Sequence, residues 1–181
     1  LADPVKLQRQ IENLLVFQNL FNAGIFVTGA DGTAIASLPT YANRLGVSYA
    51  DRDYIAGAMA GNQPTIGKPI LGRRINVPVV GMAAPLHDAQ GKVIGALAGV
   101  TNLSIPNFLD LIKSSNYGKN GTYLLVDTTH RLIVTASDPA RVMEELPPPG
   151  VNPTLDRFIA GQTDSEIFVN PLGVEVLSAE I

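Results

Sequence analysis

Residues 24–37 read Gly-Ile-Phe-Val-Thr-Gly-Ala-Asp-Gly-Thr-Ala-Ile-Ala-Ser: an apolar run, a tight Ala30-Asp31-Gly32 turn and a returning strand. About 97 positions later Gly121-Thr122-Tyr123-Leu124-Leu125-Val126-Asp127, followed by Arg131–Ser137, repeats that pattern. Phe158-Ile159-Ala160-Gly161 likewise echoes Ala58-Met59-Ala60-Gly61. A long-period repeat in both letters and element order reads as two copies of one supersecondary unit.

The rest of the chain is placed around these hairpins. Before the first one, Ile11, Leu14, Leu15, Gln18 and Phe21 or Asn22 share a face at helical spacing, which predicts a helix over Val5–Asn22 with Asp3-Pro4 as its start signal. After it, Ser48-Tyr49-Ala50-Asp51 has the spacing of a capping box and predicts a helix running to Gly61. Three extended runs follow at Thr65–Leu71, Val77–Pro85 and Lys92–Val100, the last two joined by a polar turn over 87–91. The series then restarts with a helix over Ser104–Ser115, the second hairpin, and a short helix opened by Asn152-Pro153 and closed by Gly161. Strands at Ile167–Asn170 and Val174–Ile181 close the series. No counterpart of Lys92–Val100 follows, so the second unit reads as truncated.

Composition narrows the function. With 13 basic and 16 acidic residues the formal charge is −3, and no basic stripe is present beyond Lys68, Arg73 and Arg74, which argues against a nucleic-acid partner. There is no Cys and there are only two His, so thiolate chemistry and Cys- or His-rich metal sites are excluded, and no cofactor is expected. The longest apolar stretch, Val77–Leu86, is half the length of a spanning helix and contains Pro78 and Gly81. The chain starts at Leu1 and is expected to be a piece of a longer protein, anchored by flanking membrane helices that lie outside it.

Motifs for chemistry are sparse. Gly61–Lys68 has the wrong spacing for a phosphate-binding loop, and Pro69 stands where Ser or Thr would hold magnesium. Neither a Gly-x-Ser-x-Gly elbow nor His-Glu-x-x-His occurs, and no nucleophile–base pair supports a hydrolase. Asp51-Arg52-Asp53-Tyr54 is the run that asks for an explanation. Arg52, Ile55 and Met59 share one helix face, which must pack on the sheet, so the Arg52 guanidinium sits at an inner edge and needs an acceptor. A bound carboxylate supplies one in bidentate geometry.

Asp51-Arg52-Asp53-Tyr54-Ile55, Gly61–Pro69, Pro78–Leu86 and Gly91–Leu97, in this order, resemble the double Cache domain, the extracytoplasmic PAS-like sensor of bacterial receptors. The likeness is greatest to versions found ahead of diguanylate cyclases and histidine kinases. It implies an α+β fold: a long N-terminal stalk helix over residues 1–23, a membrane-distal lobe over 24–103 and an incomplete membrane-proximal lobe over 104–181, stacked, each with an antiparallel sheet. It also implies a non-enzymatic, periplasmic sensor that binds a small ligand such as an organic acid in its distal lobe. Two copies are expected to pair as a homodimer through the Ile11–Leu14–Leu15–Gln18 stripe. By resemblance Arg52 holds the ligand carboxylate and Tyr54 is the aromatic two positions on. Thr101-Asn102 replaces the acidic residue that meets an ammonium in amino-acid-binding members, and Ile55 replaces a second aromatic; both departures argue against a free amino acid. The pocket is expected between the start of the Asp51–Ala60 helix and the sheet, with Thr101 as a weaker hydrogen-bonding group and the Leu38–Val47 connection, including Tyr41, lying over it. The alternative reading is a soluble profilin-like binding module with no receptor role.

Overall fold

The computed structural model describes residues 3–14, 17, 20–113, 121–162, 165–169, 173 and 175–179. Helix α1 (Pro4–Glu12) starts as Asp3-Pro4 requires: the Asp3 carboxylate accepts from the backbone N–H groups of Val5 and Lys6 at 3.0 and 3.1 Å. It is not the long helix expected over Val5–Asn22. Asn13, a poor helix-interior residue and a good cap, closes it: its N–H donates to the Gln10 carbonyl and the Leu14 N–H to the Ile11 carbonyl. Helical turns resume at Phe17 and Leu20, while Leu15 and Gln18 of the expected stripe lie outside the described residues.

The first half is built on one antiparallel sheet. Its strands are β1 (Ile25–Gly29), β2 (Ala34–Leu38), β3 (Thr65–Ile66), β4 (Ile70–Leu71), β5 (Pro78–His87) and β6 (Val93–Asn102). The spatial order is β2-β1-β6-β5-β3, with β4 also on β5, so the apolar run after the Gly91 turn is central. The expected single strand Thr65–Leu71 is two short pieces, because the chain leaves the ladder between Ile66 and Ile70.

Alternation along β6 makes the sheet two-faced. Ala96, Ala98 and Val100 join Phe26, Val79 and Ala83 on one face, where helix α2 (Asp53–Gly61) packs through Tyr54, Ile55 and Ala58. Leu97, together with Ile25, Val27 and Ala36, lies on the other face under Ile11, Leu14, Phe17 and Phe21. Two glycines admit the rings: a Cβ at Gly81 would overlap Tyr54, and one at Gly99 would overlap Phe21. Ile11 and Leu14 of the N-terminal stripe therefore pack on their own sheet, with Ile11 only 3% exposed.

Helix α2 begins four residues later than a capping box at Ser48–Asp51 requires. Arg52 is its N-cap and contributes no side-chain cap bond. Asp53 instead accepts from its neighbour Tyr54 N–H at 2.8 Å and from Lys68 N–H at 2.9 Å, fastening the helix start to the chain between β3 and β4.

The second half has the expected elements but a thinner core. Helix α3, Asp110–Lys113 among the described residues, starts later than the predicted Ser104, because Asn107 caps it (Leu109 N–H to Asn107 Oδ1, 3.0 Å) after Pro106; Ser114 and Ser115 lie outside the described residues. Strands β7 (Leu124–Asp127) and β8 (Leu132–Ala136) form one hairpin, and β9 (Ser165–Val169) and β10 (Glu175–Ala179) form another. Between them helix α4 (Pro153–Ile159) is capped by Asn152. Among the described residues these hairpins pair neither with each other nor with the six-stranded sheet. Beyond Leu103 the fully buried apolar residues described are Ile133, Ala136 and Leu146. Asn22 bridges the two halves: its side-chain amide donates to the carbonyls of Asn102 and Pro106 and its oxygen accepts from Asn102 N–H at 2.7 Å.

Candidate functional site

A cavity lies where the start of α2 meets the β4–β5 connection and the ends of β5 and β6. Arg52 reaches it from the helix N-cap, and Tyr54 from the first turn. Tyr49 comes from the approach to the helix, Arg44 from the loop after β2, and Arg73 and Arg74 from the turn between β4 and β5. Ile70, Ile75, Val79 and Val100 supply apolar wall. Its interior is about 20 Å³, room for a water molecule, and the whole depression out to solvent is about 330 Å³. No Asp or Glu lines it.

Three of the four guanidinium groups, those of Arg73, Arg52 and Arg44, differ in how their donors are occupied. Arg73 is held from outside: it pairs with Asp51 at 2.5 Å, donates to the Ser48 carbonyl at 2.7 Å, and lies 5.7 Å from the Tyr49 ring centroid. Arg52 makes one long bond, 3.4 Å to the Leu71 carbonyl, and no ion pair among the described residues. Arg44 is 4% exposed. One of its Nη atoms donates to the Ala23 carbonyl at 2.5 Å, its guanidinium carbon lies 5.7 Å from the Phe26 ring centroid, and the Tyr49 hydroxyl is its side-chain hydrogen-bond neighbour. Burial pulls the Arg44 pKa down, opposed by the phenols of Tyr49, Tyr54 and Tyr41. A guanidinium nonetheless keeps its charge across the physiological range. Burial pushes the Tyr54 phenol up to about 12, with Arg52 and Arg44 acting in the opposite sense. Tyr54 is therefore a neutral hydroxyl at any working pH.

Sequence reasoning placed Arg52 and Tyr54 at this spot, and the fold brings them together there. The other two named residues lie elsewhere. Thr101 is on the opposite sheet face, fully buried, its hydroxyl donating to the Leu20 carbonyl at 3.2 Å. An odd–even step along β6 decides this, since Val100 faces the cavity and its neighbour cannot. Tyr41 is 82% exposed on a 3₁₀ turn (Thr40–Ala42) and does not line the cavity. The residue its loop does contribute is Arg44, which the sequence did not single out. An arginine in a polar connection looks solvated until the sheet is assembled around it. Arg73-Arg74 was visible only as a local basic pair.

Other features carry less. A larger space of about 390 Å³ on the opposite face, between Phe17, Phe21, Met82 and Leu97, is almost wholly apolar and lacks groups to orient a polar ligand. His87, the exposed last residue of β5, contacts the Asn62 side chain, and His130 Nδ1 sits 2.7 Å from Asp127 in an exposed turn. No cluster of three or more His, Asp and Glu side chains suited to a metal occurs among the described residues.

No protein-family model matches the sequence, and no curated protein does. Solved structures do. The extracellular domain of the putative histidine kinase rpHK1S-Z16 superimposes with a TM-score of 0.73 at 17% identity, over 98% of this chain and 71% of that one. The ligand-binding domain of the Pseudomonas aeruginosa PAO1 amino acid chemoreceptor PctB, in complex with L-Gln, gives 0.69 at 19% identity, over 97% and 66%. The sensor domain of the V. cholerae histidine kinase DctB gives 0.62 at 19%, over 88% of this chain and 57% of that one. The chain thus has the fold of the extracytoplasmic sensor domains of bacterial histidine kinases and chemoreceptors, as the Cache resemblance implies. It spans little more than half the length of the DctB domain. The soluble profilin-like module gains no support from these neighbours.

Proposed function

We propose that this chain is the periplasmic ligand-sensing part of a membrane-bound signalling receptor, and that it binds a small carboxylate-bearing molecule in the cavity at the start of α2. The observation that carries the reading is Arg52: a cation at an inner helix edge, without a carboxylate partner, beside a neutral Tyr54 hydroxyl in a cavity free of acids. In this reading residues 24–103 form the distal lobe, 104–181 the proximal lobe, and 1–23 lead in from the membrane. In support, the six-stranded sheet is confined to the first half and a separate small core to the second. No described helix is long and apolar enough to cross a membrane, so the anchor would be supplied by flanking segments. The output module would be a histidine kinase or a diguanylate cyclase. If two copies pair, the outer surface of α1, where Val5 is exposed, is available, whereas Ile11 is buried.

Occupancy has a path out of the site. A ligand that draws Arg52 inward pulls on the N-cap of α2 and on β6, whose end is tied through Asn22 to Pro106 at the start of the second half.

The test is a thermal-shift screen of organic acids and amino acids, followed by calorimetry on each hit. A charge-assisted bond contributes roughly 1.5–3 kcal/mol, so Arg52→Ala weakens binding about 10- to 150-fold. Arg52→Lys recovers only part, because an ammonium lacks the planar fork. Equal affinity in wild type and Arg52→Ala would remove Arg52 from the site.

A further inference from the structure

We infer that Arg44 is a coupling residue: through the Ala23 carbonyl it ties the cavity wall to Asn22, the side chain that holds the second half. As a signalling route this rests on the sensor reading above; the coupling itself is a property of the folded chain with no ligand present. Two observations carry it.

The first is convergence on three consecutive residues. Asn22 grips the second half through the Pro106 carbonyl at 3.0 Å and the end of β6 through both backbone groups of Asn102. The next two residues are held from the cavity. Arg44 donates to the Ala23 carbonyl, and so to the peptide that links Ala23 to Gly24. Val100, whose side chain is also cavity wall, accepts from Ala23 N–H at 3.0 Å and donates to the Gly24 carbonyl at 2.9 Å. Beyond this point the chain has no room to give. Gly24 has φ +95°, and a Cβ there would overlap the Leu38 carbonyl and the Pro39 ring. A displacement of the Ala23 peptide is therefore passed back to Asn22 rather than forward along β1.

The second is the character of the tie. Arg44 is 4% exposed, and its partners are a carbonyl, an aromatic ring and a phenol rather than a carboxylate. Burying a guanidinium without a counter-ion is costly, and an apolar side chain of the same length would brace the core at less expense. What the charge adds is responsiveness. An anion in the cavity competes with the Ala23 carbonyl for the same donors, and charge-assisted bonds win over neutral ones. The empty site holds the Ala23 tie closed; the occupied site draws Arg44 inward and slackens it. Those two arrangements are what a coupling element requires.

The experiment is hydrogen exchange on the purified chain, read by mass spectrometry and without ligand. Arg44→Met imitates the released tie. It is expected to speed exchange of the Asp110 and Ile112 amides, which close the α3 turns behind Pro106, by about fivefold or more. Ile133 N–H, bonded to Glu144 in the second core, stays within about twofold and reports that the chain as a whole is not loosened. Arg52→Met, which takes a guanidinium from the same cavity but not from Ala23, leaves the α3 amides unchanged. Arg44→Met combined with Asn22→Ala exchanges no faster there than Asn22→Ala alone, because both break one connection. Equal acceleration at Ile133, equal effects of Arg44→Met and Arg52→Met, or additive effects in the double variant overturns the coupling and leaves the ligand site standing. A ligand screen that finds nothing does the reverse. Should Arg44→Met fail to fold, the connection is read backwards: Asn22→Ala speeds exchange of Val47 N–H, which is bonded to the Arg44 carbonyl, and an unchanged rate there overturns the inference.

Discussion

In the first half the helix on the sheet, α2, delivers Arg52 to a cavity where no carboxylate among the described residues meets it. In the second half the corresponding helix, α4, delivers Arg157 to Glu166 on β9, and the Thr154 hydroxyl donates to the same carboxylate at 2.9 Å. Arg131 is likewise closed by Asp156 at 2.9 Å. The two helices therefore treat their arginines in opposite ways. Where the chain supplies the anion, the arginine braces the scaffold; where it withholds the anion, the arginine is left for a ligand. The cores differ in the same sense. The first half covers its sheet on both faces, whereas the second buries a few side chains under a single hairpin. The two-sided sheet holds the buried Arg44 guanidinium in place against the Ala23 carbonyl and the Phe26 ring.

The largest effect tests the difference in cores. Phe26 is fully buried and is also the ring beneath Arg44. Phe26→Ala is expected to cost about 3–5 kcal/mol and to abolish ligand binding, by opening a cavity and freeing the Arg44 plane. Ile133→Ala, at the centre of the second core, costs about 2–5 kcal/mol, towards the lower end because its surroundings can collapse, and leaves ligand affinity unchanged. Denaturant melts followed by both fluorescence and circular dichroism measure this. Coincident transitions of equal shift for the two variants, with binding lost in both, would mean that the halves share one cooperative core and that the contrast is superficial.

A smaller effect asks how dry the first-half site is. The Tyr54 phenol titrates at about 12 in the folded chain, against an ordinary value of 10.0. Below pH 10 both states keep the proton and the contribution is full. Between pH 10 and 12 the unfolded chain loses it while the folded chain retains it, so stability falls as pH rises. The limit is roughly 2–3 kcal/mol, reached above pH 12. Tyr54→Phe should therefore lose less stability between pH 9 and 12 than wild type does. An identical alkaline loss in both would show that water reaches the hydroxyl, and the cavity would then be wetter than its closed form indicates.

These contrasts were legible in the sequence to different depths. Hairpins, turn glycines and the central β6 follow from local chemistry, since alternation and Asp-Gly turns speak for themselves over a few residues. Arg52 and Tyr54 were readable because both sit on one short element whose buried face is fixed by Ile55. Thr101 was misplaced because a one-residue step in a strand exchanges the faces, and nothing in Gly99-Val100-Thr101 says which side α2 will take. Arg44 was unreadable for another reason. Its burial is created by Ala23, Phe26 and the Tyr49 loop meeting around it, contacts that join distant stretches of chain. The break in the N-terminal helix at Asn13 belongs between these cases: the cap residue was visible, but the continuous apolar stripe outweighed it until the sheet face showed where Leu14 and Phe17 had to go.

The smallest expected effect is the one that makes the comparison of arginines exact in kind. Arg157→Ala removes an ion pair whose partners are 45% and 36% exposed, and pairs so open to solvent contribute only about 0–1 kcal/mol. Its melting temperature should move by a few degrees at most, and calorimetry with the same acid that detects Arg52→Ala should find unchanged affinity. Added salt provides the control, because screening already weakens an exposed pair, and the variant should differ least from wild type at high ionic strength. If Arg157→Ala instead weakened ligand binding as Arg52→Ala does, the Glu166 pair would be part of a signalling contact between the halves rather than local bracing. The rule drawn from the two helices, that an arginine closed by its own chain is scaffold, would then fail in this protein.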